Sequence, residues 1–310
     1  MKVLFTCAGR RVELIQIFKT VFEEVYGADL SSTAPALQFC DKSFLVPPIR
    51  SDNYISVLED ICRQEHVDML IPTIDTDLLI ISQNRHVFEE HNTKALVCVP
   101  EMISVCRDKR ETAKFFSSLG LYTPPVVDDY RCYDLGYPAF IKPRDGSSSV
   151  FAYKVENFDE LERFAQYVPE YIIQPYIDGE EYTVDVLCDF QGNPVYITPR
   201  KRLEVRSGEV LKTQIWQAES ILQDMKTLIA EFKPCGPITV QLIQERKNGR
   251  NCYIEINPRF GGGAPLSMMA GAMSAHALRE ILEGKCLEYQ TGAAEHGALF
   301  CRFDQSVRIL

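Results

Sequence analysis

The chain has few of the residues that build several common kinds of catalytic site. It contains five histidines and one tryptophan among 310 residues. The histidines form no spaced cluster, which argues against a histidine-ligated metal and against a Ser-His-Asp triad. No G-x-S-x-G, H-E-x-x-H or G-x-x-x-x-G-K-[ST] run occurs, and no G-x-G-x-x-G follows the first predicted strand. These absences disfavour a serine hydrolase, a zinc protease, a P-loop NTPase and a dinucleotide-binding dehydrogenase.

Long apolar runs and paired cysteines are also missing. No apolar stretch approaches the roughly 18 residues of a transmembrane helix, and the N-terminus is typical of a strand, not of a signal peptide. The eleven cysteines are odd in number, widely spaced and without a C-x-x-C. This pattern predicts reduced thiols in a cytoplasmic protein, not a disulfide framework. A formal charge of −10 argues against broad binding to a nucleic-acid backbone.

The length of 310 residues indicates about two domains. A composition of 46% hydrophobic and 25% charged residues is that of an ordinary globular protein. In the first hundred residues, predicted strands at 3–6, 44–46, 69–71 and 95–99 alternate with helices at 12–25, 54–64 and 78–90. This alternation predicts an α/β domain with a doubly wound parallel sheet over residues 1–105. From residue 106 onward, helices mix with hairpins centred on 191–193 and 247–250, which predicts an α+β body extending to residue 310.

The strongest local signal is the run I-E-I-N-P-R at 254–259. In a strand, alternation places Glu255, Asn257 and Arg259 on one face. Carboxylate and amide oxygens suit Mg²⁺, and an arginine beside them can grip a phosphate. Gln241 lies on the partner strand of the predicted hairpin, where it can meet Glu255. The alternative is a solvated polar strand end.

Two further segments can bind a nucleotide. Lys142 ends an apolar strand and precedes the loop D-G-S-S-S, whose backbone N–H groups can wrap phosphate oxygens. A flexible hairpin turn is an equal alternative for this loop. The connector at 174–181 joins two predicted sheets and can offer backbone groups to an adenine edge. Its alternative is an ordinary loop with exposed glutamates.

Two basic segments complete the set. Residues 198–206 carry four basic side chains among nine, and we expect Arg202 and Arg206 to face inward toward an anion; the alternative is a solvated edge. The turn C-A-G-R-R at 7–11 lies between the first strand and helix, where an anion can bind a helix N-terminus. A tight turn with solvated arginines explains it equally well, so whether Arg10 and Arg11 contact a substrate stays open.

In their order along the chain, these segments resemble the ATP-grasp superfamily. The matching motifs are D-K at 108–109, K-P at 142–143, the connector with G-E-E, and V-Q-L followed by I-E-I-N-P-R. Within the superfamily, T-C-A-G-R-R, A-P-A and D-K-S-F-L-V-P-P in the first 48 residues resemble single-module proteins similar to the carbamoyl-phosphate synthase large subunit. The resemblance implies a pre-ATP-grasp domain over 1–105. It implies an ATP-grasp domain over 106–310, with a lid subdomain at about 106–172 and a C-terminal subdomain at about 173–310.

The resemblance also implies a role for each matching residue. Lys109 and Lys142 would hold the ATP phosphates under a lid loop that contains Ser147, Ser148 and Ser149. Gln174, Tyr176 and Ile177 would surround the adenine, and Glu181 would bind the ribose. Two Mg²⁺ ions, replaceable by Mn²⁺, would be held by Gln241, Glu255 and Asn257, and Arg259 would face the γ-phosphate. Gln174 and Gln241 depart from the family pattern, because acidic residues are frequent at both positions.

The activity implied is that of an ADP-forming carboxylate–amine ligase working through an acyl phosphate. Its partners would be a small carboxylate and a small amine, with no nucleic acid or membrane, and a homodimer through the first domain is compatible with it. Two alternatives stay open. One is a module that phosphorylates bicarbonate or carbamate, as part of carbamoyl-phosphate synthase does. The other is a nucleotide-binding subunit without catalysis.

Overall fold

The first hundred residues form a parallel sheet in the computed structural model, which describes residues 1–146 and 150–309. The strands lie in the order β3-β2-β1-β4-β5. They are β1 (Lys2–Thr6), β2 (Glu24–Asp29), β3 (Lys42–Leu45), β4 (Met69–Pro72) and β5 (Lys94–Ala95). The connecting helices are α1 (Val12–Lys19), α2 (Tyr54–Glu65), α3 (Asp75–Gln83) and α4 (Arg85–Glu89), with a 3-10 helix at Pro35–Phe39. The order runs outward from β1 in both directions, which confirms the predicted doubly wound sheet.

The central strand β1 is buried on both faces, as is usual for a parallel strand covered by helices. Val3, Leu4 and Phe5 are fully buried. Phe5 packs edge-on against Phe18 of α1, with ring centroids 5.0 Å apart. Leu4 belongs to the cluster on the opposite face, which contains Tyr54 of α2. These two layers hold the carboxyl ends of β1 and β4 in place.

The prediction of one helix over 12–25 is wrong in its second half. Helix α1 ends at Lys19, where Thr20 closes the last turn by donating its hydroxyl to the Ile17 carbonyl. Residues 24–29 instead pair as β2 with β1 on one side and β3 on the other. The apolar side chains that continue the helical period are buried by this pairing, because tertiary packing overrides a local pattern.

A small antiparallel sheet follows, in the order β7-β6-β8. Its strands are β6 (Ala139–Pro143), β7 (Tyr153–Val155) and β8 (Tyr171–Pro175), and α7 (Phe158–Ala165) packs on it. Before it come α5 (Pro100–Arg107), which the sequence analysis did not predict, and α6 (Lys109–Ser118). Asp108 separates these two helices, and its carboxylate caps α6 by accepting from the Arg110 amide.

A six-stranded antiparallel sheet forms the rest of the body, in the order β13-β12-β9-β10-β11-β14. The strands are β9 (Gly179–Cys188), β10 (Pro194–Arg206), β11 (Glu209–Ile215), β12 (Pro237–Glu245), β13 (Asn251–Asn257) and β14 (Leu299–Cys301). The helices are α8 (Glu219–Phe232), α9 (Ala264–Met269) and α10 (Ser274–Leu282). This arrangement confirms the predicted α+β body.

The parallel sheet and the six-stranded sheet share a hydrophobic core. One buried cluster contains Leu70 of β4 and Cys98 together with Val184 of β9 and Tyr253 of β13. The carboxyl edge of the parallel sheet therefore lies against the polar end of β13. Nowhere in residues 1–146 and 150–309 is a helix both long and apolar enough to cross a bilayer.

We predict that Leu4→Ala lowers the free energy of unfolding by about 2–5 kcal/mol, because it leaves a cavity in the middle of the parallel sheet. Leu45→Ala is the matched control, since Leu45 lies in β3 of the same sheet with 62% of its surface exposed. The control should cost less than about 0.5 kcal/mol. Urea unfolding followed by circular dichroism measures both. Equal losses in the two variants would contradict the assigned packing of β1.

Candidate active site

The hairpin of β12 and β13 brings three oxygen-bearing side chains together. Its register pairs Gln241 with Glu255 and Thr239 with Asn257, so the predicted meeting of Gln241 and Glu255 across the strands is confirmed. Asn257 donates from Nδ2 to Glu255 Oε1 over 3.0 Å. All three side chains line one cavity. Alternation along β13 is thus enough to place a carboxylate and an amide side by side.

The cavity has a volume of about 380 Å³ and lies between the parallel sheet, the start of α6 and the six-stranded sheet. Six of the residues predicted from the sequence line it: Lys109, Arg202, Gln241, Glu255, Asn257 and Arg259. Six cationic side chains and four carboxylates are among its described lining residues. A cavity with this balance attracts an anion.

Two lysines act on Glu255: Lys109, at the start of α6, and Lys142, in the small antiparallel sheet. Lys109 begins α6, and its ammonium group donates to the Gly146 carbonyl over 2.8 Å. Lys142 is buried at the end of β6, outside the cavity lining. Burial lowers the pKa of Lys142 to about 8; Glu255 opposes this shift and Lys109 adds to it. Burial also lowers the pKa of Lys109, again against the field of Glu255. The charges of the two lysines and of Glu255 therefore influence one another.

Arg259 is held by a carboxylate of the parallel-sheet region. Its Nε lies 2.9 Å from Asp75 Oδ1 and its Nη2 lies 2.6 Å from Asp75 Oδ2, a bidentate pair. Only 11% and 20% of these two side chains are exposed. Asp75 begins α3 directly after β4, and sequence reasoning missed it. The signal was present as a carboxylate in the first turn of a helix that follows a buried strand.

The basic strand β10 sends two arginines into the cavity. Arg202 lines it and donates to Glu181 Oε2 over 3.2 Å and to Thr183 Oγ1 over 3.3 Å. Arg200 also lines it, although the sequence analysis did not single it out. Arg200 is fully buried and makes a salt bridge of 2.7 Å with Asp185.

Arg206 does not form the inward-facing pair with Arg202 that the sequence analysis expected. It is 55% exposed, and it pairs with Asp304 over 2.7 Å outside the cavity. The register between β10 and β11 shifts on both sides of Glu204. These irregularities break the alternation that would otherwise place Arg202 and Arg206 on one face.

The residues predicted to hold adenine and ribose lie in β8, in its connector to β9 and at the start of β9, outside the cavity lining. Gln174 is buried and donates from Nε2 to the Pro124 carbonyl over 2.9 Å. Tyr176 is exposed, with the Lys154 ammonium 4.7 Å from its ring centroid, and Ile177 is half-buried. Glu181 reaches the cavity through its bond to Arg202. Ser147, Ser148 and Ser149 lie outside the described residues.

The donor set fits a magnesium nucleotide better than a metal bound by the protein alone. Glu255, Gln241 and Asn257 present oxygen atoms, which are the ligands that Mg²⁺ prefers. No group of three His, Cys, Asp or Glu side chains that could hold a metal occurs in the described parts of the chain. A single carboxylate with two amides leaves coordination positions for phosphate oxygens.

The chain is similar in sequence to two kinds of characterised enzyme. The chain is similar to the carbamoyl phosphate synthase large chain of Campylobacter jejuni, with 23% identity over 287 residues, 82% of this chain and 26% of that one. It is also similar to D-alanine–D-alanine ligase of Marinomonas, with 25% identity over 186 residues, 54% of this chain and 55% of that one. The chain thus spans about a quarter to about half the length of these relatives.

A solved structure shares the fold over nearly the whole chain. It is the biotin carboxylase domain of 2-oxoglutarate carboxylase from Hydrogenobacter thermophilus, in complex with MgADP, ADP and bicarbonate. The TM-score is 0.76 at 19% identity, covering 96% of this chain and 73% of that one.

Two family models match successive parts of the chain. The first, described as a PylC-like N-terminal domain, matches residues 3–96. The second, described as an ATP-grasp domain, matches residues 106–263, which is half of the chain. That match contains Lys109, Gln241, Glu255, Asn257 and Arg259, all of which line the cavity. The chain therefore belongs to the ATP-grasp family.

Proposed function

We propose that this protein is an ATP-dependent, ADP-forming ligase that joins a small carboxylate to a small amine through an acyl phosphate. The observation that carries the proposal is the single cavity in which Lys109, Glu255, Asn257 and Arg259 converge. Family membership and the similarity to D-alanine–D-alanine ligase support it.

The chain's own residues would position and neutralise the phosphates. Lys109 and Lys142 would bind phosphate oxygens as point charges, and Arg259, oriented by Asp75, would face the transferred group. Gln241, Glu255 and Asn257 would hold two Mg²⁺ ions, or Mn²⁺ in their place. The ions would neutralise phosphate charge when bound. Gln174, Tyr176, Ile177 and Glu181 are proposed for the nucleoside end of ATP.

The chemistry needs no protein nucleophile. A carboxylate is a poor electrophile, and a phosphoryl group transferred to its oxygen provides a good leaving group. The amine nitrogen then attacks the carbonyl carbon, the C–O bond breaks, and inorganic phosphate departs. Positioning and charge neutralisation supply the catalysis in such a transfer. Within the cavity, the cations and the oxygen ligands perform these two tasks.

A second candidate is a module that phosphorylates bicarbonate or carbamate. The match to the carbamoyl phosphate synthase large chain over 82% of this chain favours it. The two functions differ in their requirement for an organic acid. Bicarbonate-stimulated ADP release without any organic carboxylate would select the second candidate.

Location, domain division and oligomeric state are further parts of the proposal. We propose a cytoplasmic location, because all eleven cysteines are free thiols. We also propose a division into domains at 1–105 and 106–310. A homodimer is proposed by analogy with the related biotin carboxylase domain, which is described as a dimer.

The buried charge of Lys142 lowers the free energy of unfolding of the empty protein. Its pKa of about 8 lies below the ordinary 10.5, so between these two pH values the unfolded chain binds more protons than the folded one. Stability contributed at this position therefore rises as the pH rises from about 8 to about 10.5. At pH 7 the buried charge opposes folding, and a bound polyanion would offset it.

We predict that Glu255→Gln lowers ATP turnover at least about a hundredfold, because it removes the single carboxylate among the proposed metal ligands. ADP release is measured with MgATP and a panel of small carboxylates paired with small amines. Glu245→Gln is the control, since Glu245 lies on β12 but pairs with Arg250 outside the cavity. Unchanged turnover in Glu255→Gln would refute the metal assignment. Stable phosphorylation of a metabolite, with no joined product, would refute the ligase.

We predict that Lys142→Met stabilises the unliganded protein at pH 7, by an amount on the order of 3 kcal/mol, and abolishes MgADP binding. The stability gain should disappear above about pH 10.5. Urea unfolding at pH 7 and at high pH, with calorimetric titration of MgADP, tests both parts. Lys94→Met, at an exposed lysine in β5 outside the cavity lining, is the control and should change neither quantity much. Destabilisation at pH 7 by Lys142→Met would contradict the buried charge.

A further inference from the structure

We propose that one organic substrate is an α-amino acid, bound at the end of the cavity next to the parallel sheet, with its carboxylate on Arg11 and its ammonium group on Glu209. The inference rests on the proposed ligase function and names a substrate class for it. Neither residue belongs to the nucleotide and metal set described above.

The location is the crevice at the carboxyl edge of the parallel sheet. The strand order reverses between β1 and β4, and ligands of open α/β sheets bind at such a switch point. Arg11 follows β1 and Asp75 follows β4, and both line the cavity. Glu209, the first residue of β11, lines it from the six-stranded sheet. The cavity thus continues from the proposed metal ligands to the parallel sheet.

Two other charge pairs at the cavity are closed, whereas those of Glu209 are open. Arg259 lies 2.6 Å from Asp75, and Arg107 lies 2.6 Å from Asp145. In contrast, Glu209 Oε1 is 3.7 Å from Arg11 Nη1, and Glu209 Oε2 is 3.6 Å from Arg302 Nη1. These separations exceed a hydrogen bond, so the Glu209 carboxylate has acceptor capacity left for a ligand.

Arg11 has donors to spare. Its side chain is 20% exposed, and its one hydrogen bond to the described residues is a long contact of 3.4 Å from Nη2 to the Thr73 carbonyl. Burial and the nearby Arg259 lower the pKa of Arg11. A guanidinium that is buried and weakly satisfied gains from an anion. Arg10, the preceding residue, is exposed and does not line the cavity.

A ligand that carries both charges fits this pair better than a ligand with one charge. Glu209 repels a simple anion, and Arg11 with Arg302 repels a simple cation. An α-amino acid bears its carboxylate and ammonium group on one carbon, so both neighbouring partners are satisfied together. Gly262 permits the observed position of the Glu209 carboxylate, because a Cβ on Gly262 would collide with that carboxylate.

The test measures ADP release with MgATP and each amino acid, alone and in pairs. For each active amino acid, the matched amine without the carboxylate and the matched acid without the ammonium group are assayed as well; for alanine these are ethylamine and propionate. At least one amino acid should stimulate turnover far above its two analogues. Arg11→Gln and Glu209→Gln should each raise the KM of that amino acid roughly 10- to 100-fold and change the KM of ATP by less than about twofold.

The variants separate binding from folding. Arg11→Lys should recover part of the lost affinity, and Arg10→Gln should leave both KM values unchanged. Circular dichroism and MgADP titration check that each variant is folded. If Arg11→Gln does not fold, Glu209→Gln gives the decision.

Two results would overturn the proposal. One is turnover with an acid and an amine when neither is an amino acid, or with bicarbonate; in the former case the ligase stands and this site falls. The other is an amino-acid KM that neither Arg11→Gln nor Glu209→Gln alters. The absence of ADP release with every carboxylate and amine pair would instead refute the proposed function, and this inference with it.

Discussion

The bidentate ion pair between Arg259 and Asp75 is the contact on which the cavity depends. It joins the polar end of β13 to the start of α3, so it connects the six-stranded sheet to the parallel sheet. Loss of either partner would leave a charge with little access to water, which costs far more than the pair contributes to stability. The pair also fixes the guanidinium at the wall of the cavity that Glu255 and Asn257 line. One interaction therefore joins the two sheets beside the cavity and holds an arginine at the cavity wall, where an anion can bind.

The charges around this contact divide into satisfied and unsatisfied groups. Arg200 with Asp185 and Arg107 with Asp145 are closed pairs, which hold the walls in place. Lys142 is different, because its charge is buried at a cost and the one carboxylate that opposes its pKa shift, Glu255, also acts on Lys109. Such a site is less stable empty than occupied, and a bound polyanion would return the energy that its burial takes from folding. The acidic character of the whole surface and the cationic cavity are thus compatible, since they concern different parts of the molecule.

Local patterns predicted the parts of the site that depend on neighbouring residues. Alternation along β13 was sufficient to place Glu255 and Asn257 on one face, and the short hairpin brought Gln241 beside them. The exact pairing of Gln241 with Glu255 also depends on a register shift between Gln241 and Leu242. The same reasoning failed for Arg206, since the register shifts beside Glu204 are not visible in the residue types. It also missed Asp75, whose partner Arg259 is 184 positions away in the chain. No local pattern records a contact at that separation.

By itself, the sequence determined the doubly wound first sheet, the antiparallel body and the face on which Glu255, Asn257 and Arg259 lie. These features follow from hydrophobic period and turn chemistry, which act over a few residues. Only the tertiary structure decided where α1 ends, which arginines of β10 reach the cavity, and that Arg11 and Glu209 face each other. These depend on how distant strands pair and pack, and pairing energy between distant segments exceeds the small preferences of single residues.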